Sequence, residues 1–327
     1  MKKIILIWLI LVLVLNAETV YASNQLKKSI YKLPVSDGIK EHYYKNGKLK
    51  TKIQYKNGKQ DGITNEYYKD GTLKYETSYD DGRQNGIYKK YTKHGTLISE
   101  TLYKNDKKVG IEKSYYENGN LRFETPYKNG KKDGIVKAYD ENGKLRREFE
   151  YKNNKQDGIF RNYSRNGHIT DEVEYRNGKR KGSAKVYDKH GNLKYSTPYN
   201  NDIVEGIAKI YDKDGNLKYE ISYVNGNKEG ITKQYTKNGI LISEIPYINS
   251  KREGVAKKYS LHGKLVREVS YKNDKLEGFY RAYNRQGSIA FYVITKNDKA
   301  VIGYYYSSTK KKLKMTNAHF HDIGLSY

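Results

Sequence analysis

Apolar and polar positions alternate along this chain with a period of two, and the alternation restarts at a fixed interval. Stepping by 24 from Gly38, glycine recurs at Gly62, Gly86, Gly110, Gly134, Gly158, Gly182, Gly206, Gly230, Gly254 and Gly278 without a gap. Take each of these glycines as position 0. Position 9 is again glycine (Gly47 to Gly287), position 5 is tyrosine (Tyr43 to Tyr283) and position 11 is leucine or isoleucine (Leu49 to Ile289). Position 17 is tyrosine in ten of eleven units, with Thr295 the exception. In the unit that starts at Gly110 the apolar sites are Ile111, Tyr115, Leu121, Thr125 and Tyr127, all at odd positions. Alternation with a period of two, carried by Tyr, Ile and Thr, predicts strands. Between the strands lies Glu117-Asn118-Gly119, and Lys128-Asn129-Gly130 follows the second strand. Asn and Gly tolerate the positive φ that tight turns require. Each unit therefore reads as a β-hairpin, and its linker as another.

Loop length decides which residues share a face. A two-residue loop pairs odd with even positions, whereas a three-residue loop ending in glycine pairs odd with odd. The second gathers Ile, Tyr, Leu, Thr and Tyr on one face, and one-sided amphipathicity favours it. The expected fold is all-β: an elongated single-layer antiparallel meander of about 22 strands built from eleven 24-residue hairpin repeats. At ~4.8 Å between strands such a sheet would run on the order of 100 Å.

The unit resembles the bacterial variant of the membrane occupation and recognition nexus (MORN) repeat, as found in YwqK-type antitoxin proteins. The likeness covers residues 38 to about 300 and rests on motifs such as Gly134-Ile135, Tyr139, Asn142-Gly143, Leu145, Glu148 and Tyr151. The resemblance implies a twisted sheet of hairpins and a non-catalytic, protein-binding role.

The ends depart from the repeat. Met1 to Ala22 reads as a signal peptide: Lys2 and Lys3, then an apolar run from Ile4 to Leu15, then Val20-Tyr21-Ala22 before a cleavage point at Ser23. That apolar run would reach about 18 Å as a helix, short of a ~30 Å hydrocarbon core. Export to the periplasm, the medium or the cell surface is the expectation. Residues 23–37 form a leader, 38–301 the eleven repeats and 302–327 a divergent C-terminal cap, in which Gly303 stands one residue out of register.

Composition narrows the chemistry. The chain has no Cys, which excludes disulfides, thiolate catalysis, Cys-ligated zinc and lipidation at a Cys. His94, His190 and His262 fill the slot before the turn glycine and read as turn residues. His319-x-His321, taken as alternate strand residues, and Asp212-x-Asp214-Gly215 each lack the further ligands of a metal site. Glutamate recurs at position 14 as a ladder (Glu76, Glu100, Glu124, Glu148, Glu172, Glu220, Glu244 and Glu268), with bases placed to pair with it across strands. No nucleophile elbow, metal-binding His-Glu-x-x-His or phosphate loop occurs, so no enzyme activity and no cofactor is expected.

Lys plus Arg number 63 against 37 Asp plus Glu, a net charge of +26. The bases at position 3 include Lys89, Lys113, Lys137, Lys185, Lys209, Lys233 and Lys257. With Tyr67, Tyr91, Tyr115, Tyr139, Tyr163, Tyr187, Tyr211, Tyr235 and Tyr259 at position 5 they form the candidate binding face. Tyr is enriched at protein interfaces, and exposed aromatic strips mark interaction sites. The expected role is an exported, non-enzymatic scaffold for a protein partner, a toxin or a surface protein. The alternative is electrostatic attachment to lipid headgroups or acidic envelope polymers; export disfavours nucleic acid.

Overall fold

The computed structural model describes residues 36–307, 309 and 311–326. The segment read as an export signal lies outside the described residues, as does the leader apart from Ser36 and Asp37. Twenty-nine strands and one short helix, Asn317–Asp322, make up the secondary structure of the described residues. Five of those strands, such as Lys59–Gln60 and Lys131–Lys132, are two-residue pieces set off by the single residue before a position-0 glycine. Joined to the strands that follow, they give two strands per repeat, as the alternation predicts. The chain divides into two compact units, residues 1–110 and 111–327. Within the first, strands from Gly38–Tyr43 to Leu97–Lys104 pair antiparallel in chain order. Within the second, strands from Leu121–Lys128 to Lys312–Lys314 do the same.

The unit that starts at Gly134 shows the local logic. The Asp140 amide donates to the Lys144 carbonyl at 2.9 Å and the Gly143 amide to the Asp140 carbonyl at 2.9 Å. Glu141, Asn142 and Gly143 are thus the expected three-residue loop, with Gly143 at φ 78°. The loop pairs Tyr139 with Leu145, odd with odd. One step further the register shifts: Ala138 faces Arg147, Lys137 faces Glu148 and Gly134 faces Tyr151. Arg146 is the extra residue of a β-bulge, and beyond it even positions pair with odd.

That bulge corrects the expected face assignment. A one-residue slip sends every later side chain to the opposite side of the sheet. Ile135, Lys137, Tyr139, Leu145 and Glu148 share one face, whereas Val136, Ala138, Phe149 and Tyr151 share the other. The same shift recurs in the other units, for example between Lys90 and Tyr91 and between Gln234 and Tyr235. The two tyrosine rows, positions 5 and 17, therefore lie on opposite faces rather than together.

The connecting hairpins are tighter. Asn153 and Asn154, at φ 51° and 69°, form a two-residue loop of the primed type. Its tip is fastened to the neighbouring tip: the Asn154 amide donates to the Lys132 carbonyl at 2.9 Å, and the Gly178 amide to the Gln156 carbonyl at 2.7 Å. The acid before the position-0 glycine adds a second tie, as where the Asn225 amide donates to Glu205 at 2.7 Å.

Few residues are buried, and they concentrate on the face that carries position 17. Val269, Tyr280 and Val293 cluster with Ala300, Met315, Phe320 and Leu325. The helix Asn317–Asp322 lies on this patch through Phe320. A Cβ on Gly303 would come within 2.7 Å of both Met315 Sδ and Phe320 Cε1, so only glycine fits beneath the cap.

Gly134 meets two demands at once. Its φ is 121°, and a Cβ there would sit 2.9 Å from Pro126 Cγ. Gly143 needs only positive φ, with nothing near its Cβ position. Gly134→Ala should cost about 2–3 kcal/mol and Gly143→Ala about 1 kcal/mol, checked by equilibrium urea denaturation.

Candidate functional site

Strand alternation keeps the candidate residues at positions 3 and 5 on a common face within each unit, as with Lys89 and Tyr91 in residues 1–110 and Lys137 and Tyr139 in residues 111–327. The bulge brings position 14 to the same face. Position-5 phenols of several repeats then meet the glutamate of the preceding repeat, though Tyr211 faces a repeat with Ser196 at position 14. Tyr139 donates to Glu124 at 2.8 Å, Tyr163 to Glu148 at 2.6 Å, Tyr235 to Glu220 at 2.8 Å and Tyr259 to Glu244 at 2.6 Å. Tyr283, outside the predicted set, donates to Glu268 at 2.6 Å.

The position-3 bases reach the same carboxylates. Lys89 lies 3.2 Å from Glu76 in the first unit. In the second, Glu172 sits between Arg161 at 3.0 Å and Lys185 at 3.2 Å, and Lys209 lies 3.8 Å from Glu220. These half-exposed pairs are worth roughly 0.2–1 kcal/mol each. Their larger consequence is chemical: glutamate occupies both the phenol and the cation in several repeats. The first repeat reverses the charges, with Glu41 at position 3 and Lys52 at position 14, 3.7 Å apart.

The position-17 tyrosines, on the other face, stack under bases. The Arg180 guanidinium lies 4.1 Å from the Tyr199 ring centroid and Arg252 lies 4.2 Å from Tyr271.

What the alternation did not reveal is how exposed the isoleucines at position 1 are. Ile39, Ile63 and Ile87 in the first unit are about half exposed. So are Ile111, Ile135, Ile207 and Ile231 in the second, Ile111 at 54% and Ile207 at 52%. Each follows a position-0 glycine directly, and that glycine was the available signal. The glycine relaxes the ladder to the preceding hairpin and leaves the next residue without a partner in register on that side, whereas on the other side Ile135 still pairs with Glu150.

A family profile of the MORN repeat variant matches residues 36–57, 60–81, 84–105, 108–129, 132–153, 156–177, 180–201, 204–225, 228–249 and 252–273. The chain belongs to the MORN repeat variant family. The matched MORN repeats number ten; the hairpin of Lys275–Tyr283 and Ile289–Lys296 lies outside them and keeps the same register. No curated relative matches the chain. Among solved structures it is similar at 12% identity to the crystal structure of TcdB2-TccC3-Cdc42, over 83% of this chain and 17% of that one, with a TM-score of 0.15. It is similar at 12% identity to TcdB2-TccC3-TEV, over 84% of this chain and 18% of that one, with a TM-score of 0.17. At those scores the likeness carries no argument.

The remaining candidates of this MORN chain have structural duties. Asp212 Oδ1 accepts the amides of Asp214 and Asn216, both at 2.9 Å, and closes its own turn. His319 and His321 sit on a helix rather than a strand, so the two imidazoles project in widely different directions. The His319 Nδ1 accepts the Thr316 amide at 3.0 Å, and its ring packs against Tyr305. Among the described residues no group of three or more His, Asp or Glu is placed to hold a metal ion.

Burial, then the hydrogen bond to glutamate, pushes the phenols of Tyr139, Tyr163, Tyr235 and Tyr259 up to about 12. Their folded values exceed the ordinary value of 10, so the stability they contribute is complete below pH 10 and is lost as pH rises through 12. Melting temperature should fall across that window. Replacing all four with phenylalanine should flatten the fall and cost about 1 kcal/mol per residue at neutral pH, read by thermal denaturation against pH.

Proposed function

We propose that this chain is an exported, non-enzymatic MORN scaffold that binds another protein along the face bearing the position-1 isoleucines. The observation that carries the reading is the recurrence of half-exposed isoleucine at one register position, Ile111, Ile135, Ile207 and Ile231 among them. A side chain left half uncovered by its own chain, recurring at multiples of 24 residues though interrupted at Ile159 and Ser183, forms apolar patches of the kind that mark interaction sites. The partner is a toxin or a surface protein. The first gives the chain the antitoxin-like role suggested by its resemblance to YwqK-type repeats; the second makes it an adhesion component. The tyrosines first taken as the contact strip support the patches by fixing the glutamates and bases beside them.

Attachment to acidic lipid or polymer is the second reading, and the net charge of +26 favours it. Against it, position-3 bases such as Lys89, Arg161 and Lys185 already face glutamate.

Affinity capture with the chain lacking residues 1–22, at low and high salt, separates the two. A protein retained at both salts and lost on combined Ile135→Ser, Ile207→Ser and Ile231→Ser substitution, with melting unchanged, is the expected result. Capture that survives the triple substitution defeats the isoleucine reading. Capture that disappears with salt supports the electrostatic one.

A further inference from the structure

The loop that joins the two strands of a repeat comes in distinct forms, set by positions 6 and 12. In three repeats position 6 is tyrosine, and its hydroxyl crosses to the next repeat: Tyr44 donates to the Tyr67 carbonyl at 2.7 Å, Tyr68 to Tyr91 at 2.9 Å and Tyr116 to Tyr139 at 2.8 Å. A base at position 12 covers each ring: Lys50 over Tyr44, Lys74 over Tyr68 and Arg122 over Tyr116. Where position 6 is Asp140, position 12 is Arg146, and the two pair at 2.6 Å. Where position 6 is Ser260, position 12 is Val266. Ser260 Oγ accepts only from its own loop, from the His262 and Lys264 amides.

Removing both the ring and its cation leaves a space. A cleft of about 720 Å³ opens between this loop and the next, bordered by Ser260, Val266, Tyr283, Lys264, His262 and Arg285. It lies at the register position that Tyr116 fills in its own repeat. Tyr283 here corresponds to Tyr139 there, whose carbonyl receives the phenol. Lys264, Arg285 and His262 border it, a basic rim like that of the filled Tyr44 loop, where Lys48 and Lys69 hold the positions of Lys264 and Arg285.

We propose that this cleft takes a tyrosine side chain from an acidic peptide segment of a partner protein. The ring lies over Val266, the hydroxyl donates to the Tyr283 carbonyl, and the flanking carboxylates meet Lys264 and Arg285. The chain supplies the template for the occupant, because three of its own repeats fill the equivalent space with a tyrosine bonded in that way. The bases supply the charge complementarity that selects an acidic context. The site stands on the loop edge, apart from the isoleucine patches, and goes beyond the scaffold reading; either can fail alone.

The test uses the full chain lacking residues 1–22 and a fluorescein-labelled acetyl-Glu-Asp-Tyr-Asp-Glu-amide peptide, followed by anisotropy. A second peptide carries phenylalanine in place of tyrosine. Ser260→Tyr combined with Val266→Arg rebuilds the filled arrangement of the Tyr116 repeat. Melting temperature should rise in that variant, which reports that the ring has entered the cleft, and peptide affinity should drop more than tenfold. The phenylalanine peptide should bind wild type about fivefold more weakly, for want of one hydrogen bond. Equal binding to wild type and rebuilt chain overturns the proposal, as does no binding to wild type. A fall in melting temperature on rebuilding overturns it too, because the cleft would then not be equivalent to the tyrosine slot.

Discussion

A sheet one layer thick has no second layer to receive its side chains, so each repeat must satisfy them sideways, against the next repeat. The contact that does this most regularly is the position-5 phenol on the position-14 carboxylate of the hairpin before, as between Tyr163 and Glu148 at 2.6 Å. The phenol buries part of its ring and still donates its proton, and the carboxylate accepts from a group that carries no charge of its own. Bases such as Arg161 and Arg281 then approach the same oxygens, Glu148 Oε2 and Glu268 Oε2, from neighbouring strands. A chain with few aliphatic residues can hold regular structure in this way, because tyrosine serves as both apolar surface and hydrogen-bond donor.

The hairpins, their register of 24 and the three-residue loop were legible in the sequence, because glycine and asparagine mark positive φ and alternation marks strands. The face assignment was only half legible. Loop parity correctly joined Tyr139 to Leu145, but Arg146, the bulged residue, reversed everything beyond it and sent Tyr151 to the far side. A bulge has no residue type of its own. Its trace is the coupling of two positions: Tyr116 with Arg122, Asp140 with Arg146, Ser260 with Val266. Those pairs place positions 6 and 12 side by side, which simple alternation does not. His319 and His321 misled for a related reason, since a spacing of two means one thing on a strand and another on a helix.

The alternation placed isoleucine and tyrosine on one face without ranking them. In the structure several of those tyrosines, such as Tyr139 and Tyr163, are engaged with glutamate, while isoleucines such as Ile111 and Ile207 stay half exposed. Chemical identity alone did not separate the two. What marks position 1 is the glycine before it, which interrupts the ladder to the preceding hairpin on one side only.

The tips of the connecting hairpins hold one another through reciprocal bonds: the Asn154 amide meets the Lys132 carbonyl while Asn154 Oδ1 accepts the Lys132 amide, and Ser250 does the same with Lys228. Spacing between successive modules is thereby set by a few short polar side chains along that border and by the main chain, not by the side chains of the two faces. Substitutions can accumulate on either surface without disturbing the pitch of the array. Descendants of such a gene could acquire new specificities while inheriting an unchanged chassis.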